Sequence, residues 1–290
     1  MSVDKGRYEG AVQTRPPNPV SRLDSRWAGY VPALLFSPLE LLGGMTHLGV
    51  TVVSSAVLRP VGYWQAVRDE MFYVLKASWF PIVAAIGTFG LMVGIHCINF
   101  TKLAGAANRC GQYFFIVNMR DFSPWINSLV VAGVIGAAIC SDLGARKIRE
   151  ELDALQVLGT DPVRELVLPR IISITLLTPM FLIISVMIVM VDAMISSVTM
   201  GDVPIGEYVT LVYSNLTVPE IFGAILKATI TGFVIGIVCA YKGLNASGGA
   251  IGVGRAVNQA VVISFVIVFV ISGAFNMILL GLFPGLQVLR

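Results

Sequence analysis

From Ala256 to Phe283 the chain carries no Asp, Glu, Lys or Arg. A run that long and that apolar is hard to place in a water-soluble domain, because crossing a bilayer takes about 20 largely apolar residues. Four more segments meet the same criterion: Trp79 to Ile98, residues 122–143, residues 168–200 and Val218 to Tyr241. The second carries Asp142 and the third Arg170, each near the segment's end; the third also carries Asp192, and the fourth Glu220 and Lys227. Only 13% of the residues are charged and 56% are hydrophobic. Soluble chains are about one quarter charged, so the composition predicts an all-α polytopic membrane protein. The net charge of +3 gives no sign of a nucleic-acid partner.

Ahead of these spans, Leu39 to Leu58 is long enough to cross a membrane, but His47 and several Gly, Thr and Ser residues make it only moderately apolar. The reading is an interfacial helix followed by an aromatic and charged elbow, together residues 38–78. Residues 1–37 are polar and rich in Pro and Arg, with no apolar stretch of signal-peptide type, and read as a cytoplasmic tail. The membrane-spanning body is then 79–290, with spans at about 79–98, 122–143, 168–200, 218–241 and 256–283.

Orientation follows from Lys and Arg in the connections. Eight precede the first span, five lie between Ser141 and Arg170, and two lie between Lys242 and Arg255. The alternate connections hold three (Asn99 to Pro124) and none (Gly201 to Thr217). This predicts a multi-pass protein of the inner (plasma) membrane, N-terminus cytoplasmic and C-terminus outside.

The second cytoplasmic connection holds a dense charged block, Arg149 to Arg170. Ile148, Leu152 and Leu155 recur at helical spacing, with Arg149, Glu150, Glu151 and Asp153 on the other faces. Gly159 suits a helix C-terminus. Asp161 and Pro162 suit a restart, as cap and first helical residue. A plain connection needs only a few residues, and an apolar stripe outside the bilayer needs burial. Two readings stand side by side: a solvated connecting helix, or a docking surface for a cytoplasmic partner.

The segment "AICSDLGARKIREELDALQVLGTDPVRELVLPR" resembles the signature of the MlaE/YrbE family of lipid-transport ABC permeases, most of all the YrbE subunits that accompany actinobacterial Mce proteins. "CAYKGLNASGGAIGVGRAVNQAVV", Cys239 to Val262, resembles that family's Gly-rich cytoplasmic loop. The likeness spans roughly Pro38 to Phe283. It implies a permease subunit, not an enzyme, that moves a hydrophobic lipid such as a fatty acid or sterol, by import. It further implies a second YrbE-type permease subunit forming a heterodimer, a cytoplasmic ABC ATPase dimer and MCE-domain proteins on the outer side. ATP and Mg would sit on the ATPase, and no cofactor on this chain. The block becomes a coupling helix, with Arg149, Glu150, Glu151, Asp153, Ala154, Leu155, Gly159, Asp161 and Pro162 as its ATPase-coupling residues. In one departure, Val134 follows Ala132-Gly133 where many members carry Arg.

"GGAIGVGRA" follows a span and not a strand, and no G-x-x-x-x-G-K-[ST] exists. His47 and His96 have no second ligand at helical spacing, and the four cysteines show no metal or redox spacing. Cys97 and Cys110 fall near one side of the membrane; free apolar thiols are the expectation, with a disulfide between these two as the lesser alternative. Small residues recur every four positions (Gly90 and Gly94; Ala132, Gly136 and Cys140; Gly232, Gly236 and Ala240), which lets helices approach closely, within one subunit in the first instance. Asp192 and Lys227 each lie about 12–14 Å inside the outer end of their spans, counting 1.5 Å per residue. They are expected to pair; the competing reading has Lys227 snorkelling or facing a wet cavity. Glu220, in a first turn, suits the helix dipole. Two other functions remain open at this level: an ion-coupled secondary transporter using Asp192 and Lys227, and a polytopic lipid-modifying enzyme.

Overall fold

The computed structural model describes residues 33–58 and 62–284. Residues 1–32 of the expected tail lie outside the described residues. The chain divides into two compact units, Met1–Gly44 and Met45–Arg290, and the helical bundle is the second. The described residues contain helices and no strand, in the order α1 Ala33–Leu58, α2 Trp64–Leu103, α3 Ala107–Ile148, α4 Glu151–Val157, α5 Val163–Gly201, α6 Ile205–Asn215, α7 Val218–Leu244 and α8 Gly249–Leu282. Six of them are long and apolar enough to cross a membrane: α2, α3, α5, α7, α8 and the Glu40–Leu58 part of α1. The expected interfacial segment therefore also meets the length and hydropathy of a span.

Two expected boundaries dissolve. The elbow and the first span are one 40-residue helix that carries Pro81 inside it. The second span starts well before residue 122, because α3 winds continuously from Ala107 through two π-helical turns, Asn118–Phe122 and Ala132–Gly136. Each π turn inserts a residue into the α-helical register. The first one rotates Arg120 and Asp121, which read as loop residues, onto the bundle.

α5 is the element that α2, α3 and α7 pack around, whereas α8 packs on α3 and α7, and small residues set the spacing. A Cβ at Gly232 of α7 would meet Thr178 Oγ1 at 2.5 Å, Thr178 Cβ at 2.8 Å and the Ile174 carbonyl oxygen at 3.1 Å. One at Gly94 of α2 would meet the Ala193 Cα at 3.1 Å, and one at Gly136 of α3 would meet Cys239 Sγ at 2.7 Å. All these seams lie within one chain, as expected of the stripes. Between them, hydroxyls are satisfied locally. Ser173, Thr178, Ser185 and Ser197 each donate to the carbonyl four residues back, the usual way to keep such groups in a dry interior. Asn127 donates from α3 to the Thr178 carbonyl of α5 at 2.9 Å.

The opposite face of α5 is apolar and open: Leu176, Met180, Ile183, Met187, Val191 and Ile195 are all exposed at helical spacing. On a water-soluble surface such a patch would be a liability; against lipid tails it is the expected finish.

Gly232→Ala should force α5 and α7 apart and lower stability by about 1–3 kcal/mol, the usual cost of overpacking. Gly87→Ala, whose Cβ would meet only Ile188 at 3.8 Å, should leave it unchanged. Thermal unfolding of both variants in detergent checks the contrast.

Candidate functional site

The charged block folds into a self-braced corner at one end of the bundle. α3 ends at Ile148, and the chain turns at Glu150, whose φ of 60° is left-handed. Ile148 therefore does not share a helix with Leu152 and Leu155, and the single expected stripe is broken. In α4, Leu152 is buried at 4% exposure and Leu155 is half-buried. Ala154 and Asp153 are exposed. The most exposed apolar residues lie at the tip, Val157 at 88% and Leu158 at 78%.

The end of α4 closes as expected of a glycine cap. Gly159 has φ 76°, the Thr160 amide donates to the Leu155 carbonyl at 3.0 Å and the Gly159 amide to the Gln156 carbonyl at 3.0 Å. Asp161 Oδ1 then accepts from the Val163 amide at 3.0 Å, with Pro162 buried beside it. The restart is thus capped where the residue types place it, although it opens as a π turn, Val163–Val167.

The charges of the block are mostly spent inside the chain. Lys147 Nζ lies 3.0 Å from Asp153 Oδ1, Arg149 Nε lies 2.8 Å from Glu151 Oε1, and Arg146 Nη1 lies 3.6 Å from Glu151 Oε2. Singly, exposed pairs of this kind contribute little; together they clip α4 to the end of α3. Behind them Arg170 of α5 bonds Asp142 of α3 and lies 3.7 Å from Glu70 of α2. Arg146 also donates to Asp142, at 3.0 Å. Ser173 of α5 adds a bond to the Val67 carbonyl of α2 at 3.1 Å. Three long helices are therefore tied at the root of the short one.

A second polar cluster sits toward the other end of the bundle. Arg120, on the first π turn of α3, forms an ion pair with Glu220 of α7, its Nε donating at 2.8 Å. Lys227 Nζ donates to the Arg120 carbonyl and, at 2.9 Å, to Asn276 Oδ1 of α8. Asn276 in turn donates to Asp121. Lys227 also lies 5.9 Å from the centre of the Phe275 ring. Glu220 and Lys227 are 3% and 2% exposed, so Glu220 is a buried ion-pair partner and not simply a helix-dipole residue.

The expected Asp192–Lys227 pair does not form. Asp192 packs against Gly90 of α2, and its Oδ2 has no hydrogen-bond partner among the described residues. The reason is register. With Gly232 against Thr178 and Gly236 against Ile174, antiparallel α5 and α7 place residue 192 level with residue 218. That is nine residues from Lys227, or about 13 Å along the axis. α5 runs past the start of α7, and α6 folds back along it, Tyr208 donating to the Met190 carbonyl at 3.1 Å.

Stability should report the same geometry. Arg120→Met and Glu220→Met should each cost about 3–5 kcal/mol by stranding a buried charge, while the double variant costs clearly less than their sum. Asp192→Asn and Lys227→Met should add within about 0.5 kcal/mol, as residues without contact do. Unfolding in detergent or nanodiscs measures both cycles.

The family model described as Permease MlaE matches residues 67–278, which covers both clusters. A probable ABC transporter permease protein of Rickettsia typhi is 27% identical over 228 residues, 78% of this chain and 88% of the relative. A probable ABC transporter permease protein of Synechocystis is 30% identical over 202 residues, 70% of this chain and 77% of the relative. The chloroplastic protein TRIGALACTOSYLDIACYLGLYCEROL 1 of Arabidopsis thaliana is 32% identical over 172 residues, 59% of this chain and 49% of the relative. With its multi-pass helical body, the chain belongs to the MlaE permease family, and is a membrane-embedded ABC transporter permease and not an enzyme.

Proposed function

We propose that this permease moves hydrophobic lipids, by import, as one half of a heterodimer with a second YrbE-type subunit. An ABC ATPase dimer works beneath it and MCE-domain proteins stand above it, with ATP and Mg bound by the ATPase alone. The observation that carries the reading is the braced corner with its apolar tip. α4 is held by ion pairs to α3, and α3 is held to α2 and α5 by the Arg170 bonds. A push on α4 is thereby passed to three long helices. Val157 and Leu158 stand exposed at its end, suited to a groove in a partner, since apolar anchors supply most docking energy while rim charges set partner choice. A lipid cargo is supported by the apolar faces of the helices, and by the Arabidopsis relative, which is named for a glycolipid.

The orientation belongs to the same proposal. With α4 inside, α2, α3, α5, α7 and α8 alternate across the membrane, and the C-terminus emerges outside. If α1 also crossed, the tail before it would lie outside with its Lys and Arg residues, against the positive-inside rule. α1 is therefore assigned to the inner interface, with Met45, Leu48 and Val52 buried on the bundle.

A secondary transporter with an Asp192–Lys227 relay has less support, because those residues are apart.

The test is co-purification of the ATPase with tagged permease from membranes. Leu155→Asp and Leu158→Asp should each reduce ATPase recovered per permease at least tenfold, equivalent to about 1.4 kcal/mol. Glu151→Lys should act similarly by releasing α4 from Arg149 and Arg146. Full ATPase recovery with all three variants would overturn the coupling assignment.

A further inference from the structure

We propose that Cys97 and Cys110 form a disulfide on the outer side of the membrane, joining the end of α2 to the start of α3. The two sulfurs lie 3.5 Å apart, although the chain between them leaves α2, turns and re-enters as α3. Ser197 of α5 donates to Cys110 Sγ at 3.4 Å. Gly111, the next residue, lies so close to α6 that an added Cβ would meet the Tyr208 ring at 2.9 Å. The thiols thus sit where four helices meet, on packed backbone with little room to separate. The other two cysteines differ. Cys140 and Cys239 are buried toward the α4 end of the bundle, where Gly243 meets the Cys140 carbonyl. Disulfides persist outside the cytoplasm and are reduced within it, so only the outer pair has both geometry and compartment. The outward placement rests on the orientation proposed above.

The two thiols have unequal access, which orders the chemistry. Cys97 is half-buried and Cys110 fully buried. The Cys97 thiolate attacks one sulfur of an oxidised exported dithiol protein, giving a mixed disulfide and releasing that protein's other sulfur as a thiolate. The Cys110 thiolate then attacks Cys97 Sγ and displaces the carrier's remaining sulfur. The two thiol protons pass to the carrier, which leaves as a dithiol having accepted two electrons. The product locks the outer ends of spans one and two into one unit beside Ser197.

The full-length chain, made in a host with an oxidising exterior, is acid-quenched, alkylated without reductant and digested with trypsin. Trypsin cuts after Lys102 and Arg109, so only a disulfide can hold peptides 77–102 and 110–120 together. The expected result is that linked species in most molecules, split by reductant, with Cys140 and Cys239 alkylated throughout. In Cys97→Ser the link vanishes and Cys110 alkylates. A separate arm places Ala106→Cys in a Cys97→Ser, Cys110→Ser background and labels intact cells with an impermeant maleimide. External labelling with the native pair fully reduced overturns the disulfide while leaving the orientation standing. Failure to label from outside, with labelling after permeabilisation, overturns both.

Discussion

Inside a bilayer, apolar side chains gain nothing by leaving lipid for one another, so helices cohere through contact distance and interhelical hydrogen bonds. In this permease that requirement falls on α5. Gly90 and Gly94 bring α2 onto it near Val189 and Ala193, and Gly232 and Gly236 bring α7 onto it at Thr178 and Ile174. Because those contacts are made by backbone and hydrogen-sized side chains, they also set the axial register. Register then decides which polar groups meet. Asn127 reaches the Thr178 carbonyl, and Ser128 lies 3.1 Å from Thr231. Asp192, one seam away, is left against glycine.

The polar groups that remain are gathered at the two ends. At one, Glu70, Asp142, Arg146 and Arg170 tie α2, α3 and α5. At the other, Arg120, Asp121, Glu220, Lys227 and Asn276 tie α3, α7 and α8. α3 is common to both: one of its internal π turns, Asn118–Phe122, carries the second clamp, and the other, Ala132–Gly136, lies between the two clamps. A π turn carries one residue more than the α-helical ladder pairs, which makes it a natural place for a long rod to change its winding. A displacement imposed at one clamp can be absorbed there and need not break the other.

Much of this was legible in the residues. The apolar runs located the spans, and the Gly159-Thr160-Asp161-Pro162 break located a cap and restart that the backbone shows, the restart opening as a π turn. The stripes of small residues marked seams inside one chain. What escaped has a common cause. Hydropathy reports depth only relative to a chosen boundary, and says nothing of rotation about the helix axis. Asp192 and Lys227 looked level because each span was measured from its own outer end, whereas α5 extends beyond α7. Arg120 and Glu220 looked like loop and cap residues, because a π turn has no signature in composition and α3 continues through polar sequence before residue 122.

The pairing inside the block alters what the charged corner can contribute in the proposed coupling role. Glu151 and Asp153 attract attention as partner contacts, but each is already held by a basic residue of the same chain. Offering those carboxylates to an ATPase would mean giving up an existing pair, for a small net gain in a wet environment. Their physical effect is to make α4 stiff relative to α3, with left-handed Glu150 fixing the angle of the corner. A stiff corner is what force transmission requires, because a compliant one would absorb the stroke. The contact itself then falls to residues with nothing to give up: Val157 and Leu158 at the tip, exposed to water and gaining by burial. Charge density drew the eye to the block, but in this reading the charges brace it and the uncharged tip docks.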